Sequence, residues 1–189
     1  MSLNANPPAY STPVLTYEQP LLHQVAQPVD DIAAPAVQAL IDQLLTTVQT
    51  ANGVGIAAPQ LGSSLRVIIV ASRPNLRYPQ APTMAPTVLI NPHLVTVGNE
   101  RELGWEGCLS VPGVRGQVWR HRVVDVTYCD RNGRPQNQVW QGFVARIVQH
   151  EIDHLDGTVF LDRVPVDTDL ISEDAYQSMV IDGLGEANR

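Results

Sequence analysis

The stretch QHEIDHLDG, residues 149–157, sets His150 and His154 four residues apart, with Glu151 directly after the first. On a helix, positions i and i+4 share a face with Cβ atoms about 5–6 Å apart, so two imidazole nitrogens can aim at one divalent cation. Glu151 sits on the adjoining edge, where its carboxylate can reach a water at that cation without displacing it, as a general base must. The plain alternative is two hydrogen-bonded core histidines beside a surface charge. An H-E-x-x-H pattern on an otherwise apolar helix favours the metal.

A catalytic site of this type has three protein ligands and an open position, so one ligand remains to be found. A histidine six residues after His154 would serve, but that position holds Phe160. Glu173, in ISEDA, is a downstream candidate without a supporting pattern and would make the protein a small metallopeptidase. The upstream candidate is Cys108 in WEGCLSVPG, residues 105–113, which follows a glycine and enters an apolar, proline-bounded turn where a thiolate can be held rigidly. A lone cysteine is more often an inert small hydrophobe. Cys129, in the alternating VVDVTYCD, is assigned that inert role.

These residues need positioning elements. Gln141 to Asp156 reads as a helix with two apolar stripes, Val144, Val148, Ile152 and Leu155 on one and Phe143, Ile147, His150 and His154 on the other. Apolar nearly all round, it should be buried at the centre, with Gly157 as its cap. Val37, Leu40, Ile41, Leu44, Leu45 and Val48 recur at helical spacing between Ala34 and Ala51. That helix runs into GVGIAAPQ, residues 53–60, whose glycines and small residues let the backbone lie close to a neighbour. RVIIVA, residues 66–71, reads as a buried strand, and residues 87–98 and 118–143 as antiparallel strands, the latter turning at Asn132-Gly133. Four prolines make residues 73–86 a surface loop.

Composition narrows the function. The chain has 189 residues, 44% hydrophobic and 16% charged, which suits one compact domain. Its net charge of −7 argues against a nucleic-acid partner. All twelve basic residues are arginine, so Schiff-base chemistry and a P-loop are both excluded. No apolar run approaches the roughly 20 residues that span a bilayer, and the N-terminus lacks a signal peptide's basic and apolar regions; we expect no membrane partner and a cytoplasmic location. The two cysteines could pair once, but a cytoplasmic domain of this size needs no staple. Residues 1–13 read as a flexible tail, 14–165 as the catalytic domain and 166–189 as an acidic extension.

Taken together and in register, GVGIAAPQ, EGCLS and QHEIDHLDG resemble the three motifs of the peptide deformylases, GxGxAAxQ, EGCxS and HExxH. The likeness runs from about residue 14 to 165. It implies an α+β fold, with a central buried helix carrying HExxH surrounded by antiparallel β-sheets. It implies that Cys108, His150 and His154 bind one cation, commonly Fe2+ with Zn2+, Ni2+ or Co2+ substituting, and that activity decays in air because a thiolate beside ferrous iron is redox-sensitive. The reaction implied is hydrolysis of the formyl group from N-formyl-Met peptides and nascent chains. Glu151 would be the general base, and the Gln60 side-chain amide and Leu109 backbone N–H the oxyanion donors. The backbone at Val54, Gly55 and Gly107 would receive the peptide as an added strand. Phe143 and Ile147 would line the methionine pocket, and Arg115 would approach the peptide's far end. Some family members dock at the ribosome through a basic C-terminal helix. Here that region is acidic, and the resemblance assigns neither it nor the loop at 73–86 a role.

Overall fold

A computed structural model describes residues 13–183. The expected tail therefore lies, but for residue 13, outside the described residues. The chain folds as a mixture of helix and antiparallel sheet. Among the described residues three α-helices, α1 (Pro35–Thr50), α2 (Gly142–Leu155) and α3 (Glu173–Ile181), accompany eight strands. A five-stranded sheet has the order β1 (Gly55–Ala57), β2 (Val67–Val70), β3 (Thr87–Val97), β6 (Val123–Cys129) and β7 (Pro135–Gln141). A three-stranded sheet has the order β4 (Arg101–Cys108), β5 (Val111–His121) and β8 (Ile171–Ser172). Among the described residues, the pairings between these strands are all antiparallel. Among the described residues no helix is long and apolar enough to cross a membrane.

The five-stranded sheet is covered on both faces, which explains why β2 reads as an unbroken apolar run. Ile68 and Val70 pack with Val148, Ile152 and Leu155 of α2, whereas Val67 and Ile69 pack with Leu40, Ile41, Leu44 and Val48 of α1. Successive strand side chains point to opposite faces, so a strand between two helices must be apolar at every position. All four β2 side chains are fully buried, each stabilising the fold by about 1.5–3 kcal/mol.

α2 follows β7 without a loop and buries Ala145 to Gln149 and Glu151 to Leu155. It ends where Gly157 adopts φ +72°, with the Thr158 amide donating to the Asp153 carbonyl. A side chain at 157 would also meet the backbone of His23 at 2.8 Å, so glycine is required twice over.

The structure adds detail to three of these readings. The β6–β7 hairpin does turn at Asn132-Gly133, within the longer loop between Cys129 and Pro135. Asp130 accepts from Gly133 across a four-residue turn and its side chain from Asn132 and Arg134, and of the loop residues only Gly133 has positive φ. The stretch around WEGCLSVPG is no isolated turn but the tip of a long β4–β5 hairpin. Its alternation is hidden by Gly104, Gly107, Gly113 and Gly116. The acidic segment after 166 contributes β8, paired with β5, and α3, capped by the Ser172 hydroxyl on the Ala175 amide.

Candidate metal centre

The β4–β5 hairpin and α2 bring the cysteine and the histidines together. Pairing runs regularly from Arg101↔His121 to Glu106↔Gly116, then slips so that Cys108 faces Val111. Such a bulge bends the strand and re-aims a side chain. The side chain it aims is Cys108, whose Sγ lies 3.2 Å from His154 Nε2. One ligand atom from each of Cys108, His150 and His154 lies within 4.8 Å of the others, the one such His, Cys, Asp and Glu group among the described residues.

The electrostatics suit a cation at this point. Burial works to raise the Cys108 thiol, but the imidazoles of His154 and His150 outweigh it and hold the thiol well below its ordinary range. Burial likewise works to lower His150, and Cys108 and Glu106 outweigh it and hold the imidazole well above its usual value. A thiolate that draws a proton onto His150 marks a cluster that demands positive charge at its centre. A divalent ion meets that demand through the same atoms, and one thiolate with two imidazoles suits Fe2+ or Zn2+. Two buried atoms here, His154 Nδ1 and Glu151 Oε2, have no hydrogen-bond partner.

Beneath the cluster runs a buried chain of charges that the sequence reading missed. Glu106, 3% exposed, accepts from Arg120 Nε and Nη2 at 2.9 and 3.0 Å, from Arg146 Nη1 at 2.9 Å, and faces His150 Nδ1 at 2.9 Å. Arg120 continues to Asp153 at 2.6 Å, which also holds Arg163. Burial works to raise Glu106, yet Arg120 and His150 hold it far below the carboxylate range, so it is an acceptor only. His150 must then donate from Nδ1, which leaves Nε2 to face the cluster. Arg146 and Asp153 were the available signal, as charges on a helix that is otherwise largely apolar.

Glu151 and Gln60 complete the arrangement. Burial lifts the Glu151 carboxyl up to about 7 against the pull of the two imidazoles. β1 lies so close that a Cβ at Gly55 would sit 2.3 Å from Glu151 Oε1 and 2.8 Å from Ile147 Cγ2, which explains the glycine. Gln60 is 2% exposed and follows β1 in a short 3-10 turn. Its Oε1 accepts from the Ala57 amide at 2.9 Å, which fixes the amide so that Nε2 donates to Ser110 Oγ at 3.0 Å and Cys108 Sγ at 3.4 Å.

A cavity of about 50 Å³ opens over this group, enough for a few small groups when one water needs roughly 10–15 Å³. It is lined by Val54, Gly55 and Gln60 on one side and by Gly107, Cys108 and Leu109 on the other. Phe143, Ile147, His150 and Glu151 of α2 form its floor, and Tyr78 of the proline-rich loop joins the wall. β1 and β4 are edge strands of their two sheets, so the cavity lies between two free edges. His154 is packed behind, 1% exposed.

Arg115, expected near the peptide's far end, lies in the β4–β5 hairpin beside α3. It is 1% exposed, and its Nε and Nη2 donate to Glu173 at 2.7 and 3.1 Å, so the guanidinium is engaged within the protein. A buried charge needs a partner, and α3 supplies it. The same contact commits Glu173, the alternative third ligand, to Arg115. Cys129 packs at the edge of the α1-side core, and neither cysteine is in a disulfide.

Comparison with known proteins agrees with this geometry. The family model described as polypeptide deformylase matches residues 11–168. A peptide deformylase 2 of a Nostoc species is 53% identical over 168 residues, 89% of this chain and 94% of the relative. A crystal structure of the class I type b peptide deformylase from Acinetobacter baumannii bound to Met-Ala-Ser has a TM-score of 0.80 at 47% identity, covering 82% of this chain and 99% of that one. The deformylase of Synechococcus elongatus in complex with actinonin has a TM-score of 0.75 at 33% identity, with coverage of 100% and 96%. Matched along most of its length by sequence and by fold, this chain belongs to the polypeptide deformylase family of enzymes.

Proposed function

We propose that the chain hydrolyses the N-terminal formyl group of formyl-methionyl peptides and nascent chains, releasing formate. The observation that carries this reading is the convergence of Cys108, His150 and His154 within 4.8 Å, where Cys108 and His150 line the same cavity as Glu151 and Gln60. Cys108, His150 and His154 would hold one divalent cation, Fe2+ by preference. When bound, the cation supplies Lewis acidity that polarises the formyl carbonyl and lowers the pKa of the attacking water.

The chain's own residues do the rest. Glu151 takes a proton from the water as its oxygen bonds to the formyl carbon. It returns that proton to the amine nitrogen as the C–N bond breaks, leaving formate and a free N-terminus. A carboxyl that burial lifts up to about 7 suits both halves of this exchange. The Gln60 Nε2 and the Leu109 backbone N–H donate to the developing oxyanion. Because Gln60 is held by Ala57, its donor needs little reorganisation as charge develops. The edges of β1 at Val54 and Gly55 and of β4 at Gly107 receive the peptide as an added strand. Phe143 and Ile147 contact the methionine side chain.

Such a substrate belongs to the cytoplasm, where chains emerge from the ribosome. Protein purified without oxygen, assayed for formate release from a short formyl-Met peptide with metal analysis alongside, tests the reading. A protein loaded with Fe2+ that releases no formate rejects it.

A further inference from the structure

The family match ends at residue 168, yet β8 and α3 reach back to the wall of the cavity. β8 pairs with β5 at Val114↔Ser172 and Arg115↔Ile171, which sets Glu173 beside Arg115. The Arg115 guanidinium lies 5.0 Å from the Tyr78 ring centre and 4.6 Å from that of Tyr176, and its Nη1 donates to the Tyr78 hydroxyl. The Tyr176 hydroxyl in turn donates to the Arg77 carbonyl at 3.2 Å. The Tyr78 ring lies 4.9 Å from that of Phe143, and both line the cavity with His150 and Glu151. A Cβ at Gly107 would sit 2.7 Å from Arg115 Nε, so the same arginine also lies along the backbone leading into Cys108.

We propose that β8 and α3 form a clip that fixes the proline-rich wall of the substrate cavity, with Glu173 and Tyr176 as positioning residues for peptide binding. Residues 73–86 contain four prolines and so offer few backbone donors. At Arg77 and Tyr78 the loop turns on Asn75, whose backbone and side chain hold both amides, and it is gripped from outside as well: Tyr176 holds the Arg77 carbonyl, and Glu173 holds the arginine that holds Tyr78. Glu173 orients a nearly fully buried Arg115, and an arginine without its partner must move toward water. Tyr78 then loses its donor and the wall against Phe143 loosens. The clip leaves the cation and Glu151 untouched, so peptide affinity is what it sets. Its kinetic consequence rests on the deformylase reading.

The test uses the full, metal-loaded chain carrying Glu173→Gln or Tyr176→Phe. Tyr176→Phe keeps the ring beside Arg115 and removes only the bond to Arg77, so it folds even if Glu173→Gln does not. Hydrogen exchange of the Tyr78 and Ala81 amides should speed by roughly tenfold while the α2 amides keep their protection. KM for a formyl-Met tripeptide should rise roughly five- to tenfold with kcat within about twofold. Unchanged loop exchange overturns the clip. Faster exchange with unchanged KM overturns its role in binding. A parent protein that releases no formate rejects the deformylase reading instead, and the exchange measurement still decides the clip.

Discussion

Glu106→Gln is the most informative single change, because two consequences can be worked from one carboxylate. Glu106 Oε1 receives Arg120 Nε and Arg146 Nη1, and Oε2 receives Arg120 Nη2 and faces His150 Nδ1. A glutamine has one oxygen for these two positions. Facing the arginines with the oxygen turns the amide N–H₂ toward His150, whose Nδ1 then accepts, so that Nε2 carries the proton and loses its lone pair for the cation. Turning the amide the other way sets an N–H₂ against two guanidinium donors. Either orientation weakens the cation site, and loss of an outer partner of this type costs about 10–100-fold in metal affinity, or about 1.4–2.7 kcal/mol. Separately, two buried arginines lose a countercharge, and breaking a buried pair costs about 3–5 kcal/mol of stability. Metal affinity measured by competition with a graded chelator, with urea denaturation of the metal-free protein, separates the two effects. The exposed Arg122–Glu100 pair, 3.4 Å apart with side chains 57% and 80% exposed, is the control. There Glu100→Gln should change both by little. A Glu106→Gln protein that binds metal within twofold of its parent refutes the orienting role of the carboxylate.

Cys108→Ser should abolish stoichiometric metal on dialysis while retaining the fold, as read by elemental analysis and circular dichroism; retained metal would return Glu173 or another group to consideration. Gly55→Ala sets a methyl 2.3 Å from Glu151 Oε1, so kcat should fall by about 10²-fold or more with metal content intact; a full kcat would show that Glu151 can shift harmlessly. The pairing of Glu173 gives a pH signature. Burial works to raise its carboxyl, but Arg115 holds it below the ordinary 4.5. Its stabilising share is therefore present above that ordinary value and is lost as pH falls through the depressed one. The Tm gap between the parent and Glu173→Gln should thus be present at pH 7 and shrink toward pH 3; a gap that persists at low pH contradicts the pairing.

Local rules made much of this protein legible. The period of 3.6 located α1 and α2 to within a residue or two, and the β-branched run located β2. The HExxH spacing set two imidazoles on one helical face because the backbone repeat fixes it. Other features escaped for identifiable reasons. The four glycines spread through β4 and β5 interrupt any alternation, so a long hairpin read as a turn. Glu106 and Arg120 are ordinary charged residues until a hairpin and a helix bury them together. Arg115 carries no mark of burial, because its partner stands 58 residues away on α3.

The sequence by itself determined the chemistry available: a thiol, two imidazoles, a carboxylate and an amide, in three motifs that resemble one family. Short-range geometry suffices there, since helix periodicity and a glycine's close approach depend on few neighbours. Only the tertiary structure decided what each group is held against: the bulge that turns Cys108 toward His154, the buried acceptor behind His150, and the helix that claims Arg115. Those depend on which charges share a low-dielectric interior, and burial is set by contacts distant in the chain.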